Sequence, residues 1–163
     1  MSTKQSPSKT SDRGVEFICA WEKYSPIPYT DQSGHITWGY GHAQRKGEAV
    51  PKYVSEEAAL DLMKKDITVA EDAVAAQVKV HLAQHQFDAL VSLCFNIGST
   101  NLAESTLLKL LNSEKYVSAA NQFLVWNKVR NPRTGELEVS NGLLVRRSSE
   151  RNLFLSANYD ASH

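Results

Sequence analysis

Apolar residues recur at intervals of three and four along most of the chain, and the main interruption of that rhythm runs from residue 26 to 42. Leu60, Met63, Ile67, Ala70 and Val74 keep helical spacing behind Ser55, an N-cap residue type, with Glu56 and Glu57 in the first turn, where the helix dipole favours negative charge. The pattern predicts one long helix whose apolar stripe is core packing and which can link two lobes. Phe87, Leu90, Val91 and Cys94 predict a second helix from about Ala83, closed near Gly98 by a residue suited to a left-handed cap. Shorter helices are expected from Leu107 to Leu111 and from Ala119 to Trp126, before Asn131-Pro132-Arg133-Thr134-Gly135 breaks the period as a loop. Asn141 is placed to cap a last helix that carries Arg146 and Arg147.

The exceptional stretch holds the chemistry. Phe17, Ile18 and Trp21 mark a first helix that reaches Glu22, and Pro26 and Pro28 cannot continue it. Ser33-Gly34 is a turn signal that folds the next segment back as a hairpin, returning Asp31 and Thr37 toward Glu22. Two carboxyls and a hydroxyl facing one cleft suit glycosidic bond hydrolysis, in which one acid donates a proton to the leaving oxygen and a second group manages water on the opposite face. The apolar neighbours of Glu22 disfavour its ionised form and suit a general acid, whereas Asp31 in a polar turn stays charged and Thr37 helps hold the water.

At 163 residues and 42% hydrophobic, the chain is one domain-sized unit able to bury a real core. A formal net charge of zero argues against a strong, sequence-blind grip on nucleic acid. Charge is uneven locally: residues 56–72 hold six acids against two lysines, whereas 128–151 hold six cations against Glu136, Glu138 and Glu150, a stretch read first as a solvated helix and loop. Cys19 and Cys94 sit in apolar helical contexts and read as buried free thiols, which suits a reducing compartment. Ser2 to Asp12 is polar and expected to be disordered, without an apolar run of signal-peptide or membrane-spanning length.

Glu22, Asp31 and Thr37, followed by Gly39-Tyr40-Gly41-His42, begin a series of ordered blocks that continues in Gln86 to Gly98, Ser105-Thr106-Leu107-Leu108 and Gly142 to Glu150. In order and separation these blocks resemble the phage-type lysozymes, the endolysin muramidases. The resemblance implies an α+β, mainly α, lysozyme-like fold over residues 14–163, with a small N-terminal β-hairpin lobe and a larger helical lobe, after a disordered tail at 1–13. It implies an endolysin that cuts the β-1,4 bond between N-acetylmuramic acid and N-acetylglucosamine in bacterial peptidoglycan, by inversion, for host cell lysis. Glu22 would protonate the glycosidic oxygen, with Asp31 and Thr37 positioning and activating water. Arg146 would stand near Glu22, opposing the burial effect on the acid with a net influence left open, while Arg147 faces solvent.

Asn96, Ser105, Thr106 and Arg146 are the candidate substrate contacts, with capping an equal explanation of Ser105. The same resemblance implies a monomer without cofactor or metal, no stable membrane insertion, and release from the host cytoplasm through a holin-opened inner membrane to glycan strands of the wall. Phage, prophage and delivered-effector origins remain equivalent at this level. His42 is expected to make a structural hydrogen bond or ion pair, and Gly39 and Gly41 to permit tight bends. His81 and His85 are four apart, but His81 precedes the helix and no carboxylate completes a metal site. The rivals are a glycan-binding module without catalysis, disfavoured by the intact acids, and a transglycosylase, distinguished by an anhydro product.

Overall fold

A computed structural model describes residues 6–163. Ser11 opens the first helix: its hydroxyl accepts the Gly14 N–H at 3.0 Å, and α1 runs Asp12–Glu22. The helix stops at Lys23, whose φ of 54° turns the chain away while its N–H still reaches the Cys19 carbonyl. Pro26 and Pro28, expected as the stop, lie instead within strand β1 (Ser25–Thr30). Because β1 is an edge strand with irregular pairing between Ser25 and Tyr29, their missing N–H groups break no ladder. Strands β2 (Ile36–Gly39) and β3 (His42–Ala43) complete an antiparallel sheet in the order β1-β2-β3. Trp38, Val54 and Ala59 form the small core of this lobe.

The expected single helix after Ser55 is two. Helix α2 (Glu56–Asp66) packs on β2 and β3, α3 (Thr68–Gln77) packs on the helical lobe, and Ile67 between them breaks the regular path. Ile67 has ψ of −10°, yet its N–H bonds to Met63 O at 3.0 Å and its carbonyl accepts from Glu71 at 2.8 Å. The bend therefore preserves the apolar stripe, with Met63, Ile67, Ala70 and Val74 all buried, and periodicity runs through it unaltered. The two helices still join the lobes as expected.

The larger lobe is built around α4 (Gln84–Ile97), in which Phe87 to Cys94 are all buried; a helix buried on every side belongs at the centre of a core. Around it lie α5 (Ser99–Glu104), α6 (Thr106–Asn112), α7 (Tyr116–Asn121) with a 3₁₀ turn at Gln122–Val125, and α8 (Asn141–Ser156). Ser140, one residue before the expected Asn141, caps α8 by accepting the Leu143 N–H at 3.2 Å. The segment expected as a loop is a hairpin, β4 (Lys128–Arg130) with β5 (Leu137–Val139), closed by Asn131, whose side chain accepts the Arg133 N–H at 2.8 Å. Its strands are three residues each and fully exposed, too short and too unburied to leave a period. No helix among the described residues is long and apolar enough to cross a membrane.

Residues 6–13 are not the unstructured tail expected; residues 1–5 of that expectation lie outside the described residues. Buried acceptors hold the segment: Thr10 N–H donates to Glu71 at 2.6 Å, and Ser11 donates from both its N–H and its hydroxyl to Asp88. Asp88 is fully buried and also receives Gln84 at 2.8 Å and the Tyr159 hydroxyl at 2.7 Å, so one carboxylate clasps the start of α1, α4 and the segment after α8.

A Cβ on Gly14 would fall 2.6 Å from Asp88 Cγ and 2.7 Å from Thr10 Cγ2. Alanine gains roughly 1 kcal/mol of helix propensity over glycine, but overpacking against a carboxylate held by several donors costs about 1–3 kcal/mol. Gly14→Ala should therefore lower stability by about 1 kcal/mol or more in urea unfolding; a midpoint higher than wild type would show that Asp88 yields freely.

Candidate active site

Glu22 is the last residue of α1, so its side chain projects where the helix gives way to the sheet lobe. Its Oε1 accepts a 2.8 Å bond from Arg146 Nη1, and its Oε2 lies against Gly41, where an added Cβ would stand 3.3 Å away. Gly41 has φ of 75°, so a side chain there would be strained as well as crowded against the acid.

Arg146 is buried, and its other donors stay within the protein: Nε bonds to Glu150 at 3.2 Å and Nη2 to the Ser92 carbonyl at 3.2 Å. Its proximity to Glu22 is as the resemblance implies, and each of its three nitrogens makes a bond within the protein. Arg147 departs from expectation more sharply. It is fully buried, not solvent-facing, and donates to Glu150 at 2.5 Å, to the Trp126 carbonyl at 2.8 Å and to Asn96 Oδ1. Glu150, 0% exposed, also receives the Ser92 hydroxyl at 2.5 Å. Burial works against the Arg146 charge, but Glu150 and then Glu22 outweigh it and raise its titration above the ordinary value; for Arg147 burial prevails and lowers it.

Sequence reading overlooked Glu150 and Ser92 as parts of this site. The signal for Glu150 was present, since Arg146 and Arg147 precede it by four and three residues and so share its helix face. Ser92 lay within the Gln86 to Gly98 block but was assigned no role there, its own signal masked by the apolar residues on either side.

Asp31 and Thr37 meet at His35. The Asp31 carboxylate accepts the N–H groups of His35 at 2.8 Å and Ser33 at 2.9 Å, and the Thr37 hydroxyl donates to the His35 carbonyl at 3.2 Å. The His35 N–H is the largest influence on Asp31 and, with Ser33 and against partial desolvation, holds its carboxyl below the ordinary carboxylate value. Asp31 is thus kept charged in its polar turn. Thr37 is buried on β2, opposite Tyr29 and Ala43, and neither residue bonds directly to Glu22.

The remaining candidates divide. Asn96 and Thr106 are exposed, with Asn96 on a cavity of about 600 Å³ shared with Asn101, Trp126, Lys128, Leu137 and Arg147. Ser105 is buried and internally bonded: its hydroxyl donates to Leu102 O at 2.7 Å and accepts the Leu108 N–H at 3.1 Å as the N-cap of α6. Capping, one of the two explanations left open, accounts for it. Cys19 and Cys94 are free and buried, and burial pushes both thiols up, Cys19 to about 12.

A model of the Phage lysozyme family matches residues 19–150. The chain belongs to the phage lysozyme family. The endolysin of Bacillus phage B103 is 38% identical over 151 residues, which cover 90% of this chain and 54% of that relative's length. The endolysin of Salmonella phage P22 is 41% identical over 132 residues, 78% of this chain and 85% of its own. Among solved structures, the endolysin from Escherichia coli O157:H7 phage FAHEc1 matches with a TM-score of 0.85 at 33% identity, covering 96% of this chain and 99% of that one. The mainly helical α+β lysozyme fold inferred from the sequence is the one observed.

Beside the site, His42 forms the expected ion pair and a second with it: Nδ1 meets Asp66 at 2.7 Å and Nε2 meets Glu48 at 2.8 Å. Arg45 joins the clasp through Asp66 at 3.0 Å, tying the loop after β3 to α2. Burial alone would lower the His42 titration, but Glu48 and Asp66 outweigh it, so the folded value lies above the ordinary 6.5. Its stabilisation is therefore complete below the unfolded value and is lost as pH rises through the folded one. Glu48 behaves oppositely: the Arg45 N–H and then His42 hold it below its ordinary 4.5, so its share is lost as pH falls through the depressed value. Stability measured by urea unfolding should thus decline above about pH 6.5, and His42→Gln should flatten that decline; an equal decline in the variant would remove His42 as its cause.

Proposed function

We propose that this member of the phage lysozyme family is an endolysin that hydrolyses the β-1,4 bond between N-acetylmuramic acid and N-acetylglucosamine in peptidoglycan, with residues 14–163 as a single catalytic unit. The observation that carries the reading is the placement of Glu22: one oxygen held by Arg146, the other against Gly41 at the junction of the lobes. A carboxyl fixed at one oxygen can present its second to a glycosidic oxygen at a constant angle, which is what proton donation requires. Asp31, held charged by two backbone donors, and Thr37, which donates to the His35 carbonyl, then position water on the opposite face of the sugar. This division favours inversion.

Asn96 and Thr106, both exposed, are the remaining candidates for sugar contact. Arg146 serves Glu22 rather than substrate. We place the chain as a monomer in the host cytoplasm until a holin opens the inner membrane, after which it reaches the wall. Two buried free thiols that need no oxidising compartment support the cytoplasmic stage. Lysis that follows induction equally fast without a holin would remove that dependence.

On purified peptidoglycan, Glu22→Gln should lower kcat by about 10²–10⁴-fold and Asp31→Asn should also be strongly impaired, while both remain folded by circular dichroism. Wild-type products should carry ordinary reducing ends with inverted anomeric configuration at release, read by mass spectrometry and NMR. Anhydro ends would instead assign transglycosylation, and binding without cleavage would assign a glycan-binding module.

A further inference from the structure

We infer that Glu150, backed by Arg147, is a positioning residue for Glu22: it balances the charge of Arg146, so that Arg146 aligns the Glu22 carboxyl without locking it in the ionised form. The inference rests on the reading of Glu22 as the proton donor. An arginine 2.8 Å from a carboxyl favours the carboxylate, which is the wrong form for a donor. Here the same guanidinium is shared with a second carboxylate on its other side, at 3.2 Å, that is wholly removed from water. The field of Glu150 acts on Glu22 in the opposite sense to that of Arg146.

The groups form an alternating row, Glu22, Arg146, Glu150 and Arg147, and each link is a direct ion pair. Glu150 cannot swing away from the row. Its oxygens are held by Arg147 at 2.5 Å and by the Ser92 hydroxyl at 2.5 Å, while Arg147 is itself anchored to the Trp126 carbonyl and Asn96. This anchoring fixes a negative charge one guanidinium away from the acid. Near Glu22 are also Cys19 on its own helix, Lys23 next in the chain and Gly41 from the sheet lobe. Asp31 belongs to the turn after β1, and the variants below leave all of these unchanged.

The test compares pH–activity profiles of the full chain on purified peptidoglycan for wild type, Glu150→Gln, Arg147→Gln and Arg147→Lys. A donor must be protonated, so activity falls on the alkaline limb as it ionises. Removing the Glu150 charge should move that limb down by about one pH unit, and removing the Arg147 charge should move it up by a smaller amount. Arg147→Lys should restore the wild-type position, and the changes should appear in kcat rather than KM. A merely structural role predicts lower activity with unmoved limbs, or shifts of one sign in both variants, and either result overturns the inference. If Glu150→Gln does not fold, the two Arg147 variants decide alone, since an unmoved limb in Arg147→Gln is already contrary. Glu22→Gln, run in parallel, separates the two levels: retained activity refutes the proton-donor reading, whereas an inactive Glu22→Gln beside unmoved limbs refutes only the role of Glu150.

Discussion

A carboxylate with no exposure to water must be compensated by protein groups, and Glu150 makes that requirement the organising constraint of the helical lobe. The effective cost of burying an ion is several kcal/mol, and it is offset only where donors meet it in good geometry. For Glu150 the donors come from α4 through Ser92 and from α8 through Arg146 and Arg147. Arg146 then reaches α1 through Glu22. Satisfying one buried charge thus fixes the relative register of three helices, and the same contacts set the Glu22 carboxyl in place. Stability of the lobe and placement of Glu22 are two consequences of one network.

The sheet lobe obeys a different logic. Its core is small, Trp38, Val54 and Ala59, and much of β1 is exposed, with Ile27 and Tyr29 facing solvent. Polar contacts supply what packing does not: Asp31 is bound by two N–H groups of its own turn, and the His42 side chain ties β3 to α2 and to the following loop. A turn locked from within can be carried on a thin lobe without losing its internal geometry. The two candidate acids are therefore placed by different means, Glu22 by the helical core and Asp31 by local hydrogen bonds.

Legibility followed the same division. Short-range chemistry was readable: Ser55 as a cap, Ser33-Gly34 as a turn, Asp31 as a residue kept charged and Arg146 as the partner of Glu22 all rested on local sequence or ordered blocks. The break at Ile67 was hidden because the bend leaves the apolar stripe in phase. The β4-β5 hairpin was hidden because exposed strands of three residues have no buried face to impose alternation. Arg147 was misread as solvent-facing because an arginine's burial depends on a partner, and the partner's own burial depends on α4, which is distant in sequence. The N-terminal segment was misread for the same reason: its polar residues suggested disorder, whereas Glu71 and Asp88 supply acceptors from elsewhere in the chain.

Glu150, Asp88, Glu71 and Asp66 therefore share a role that composition conceals. Each is an acid at a junction between segments far apart in sequence: α4 with α8, the N-terminal segment with α4, the same segment with α3, and β3 with α2. Apolar contacts drive these segments together but tolerate sliding, whereas a carboxylate receiving aimed donors has few acceptable positions. The free, buried state of both cysteines leaves such junctions without a covalent tie among the described residues. Zero net charge is consequently a poor measure of this chain's electrostatics, because part of its acid complement is turned inward and matched donor by donor. On the exposed β4-β5 hairpin, by contrast, Lys128, Arg130 and Arg133 stand beside Glu136 and Glu138, so that surface is close to balanced by its own side chains and does not depend on the interior acids.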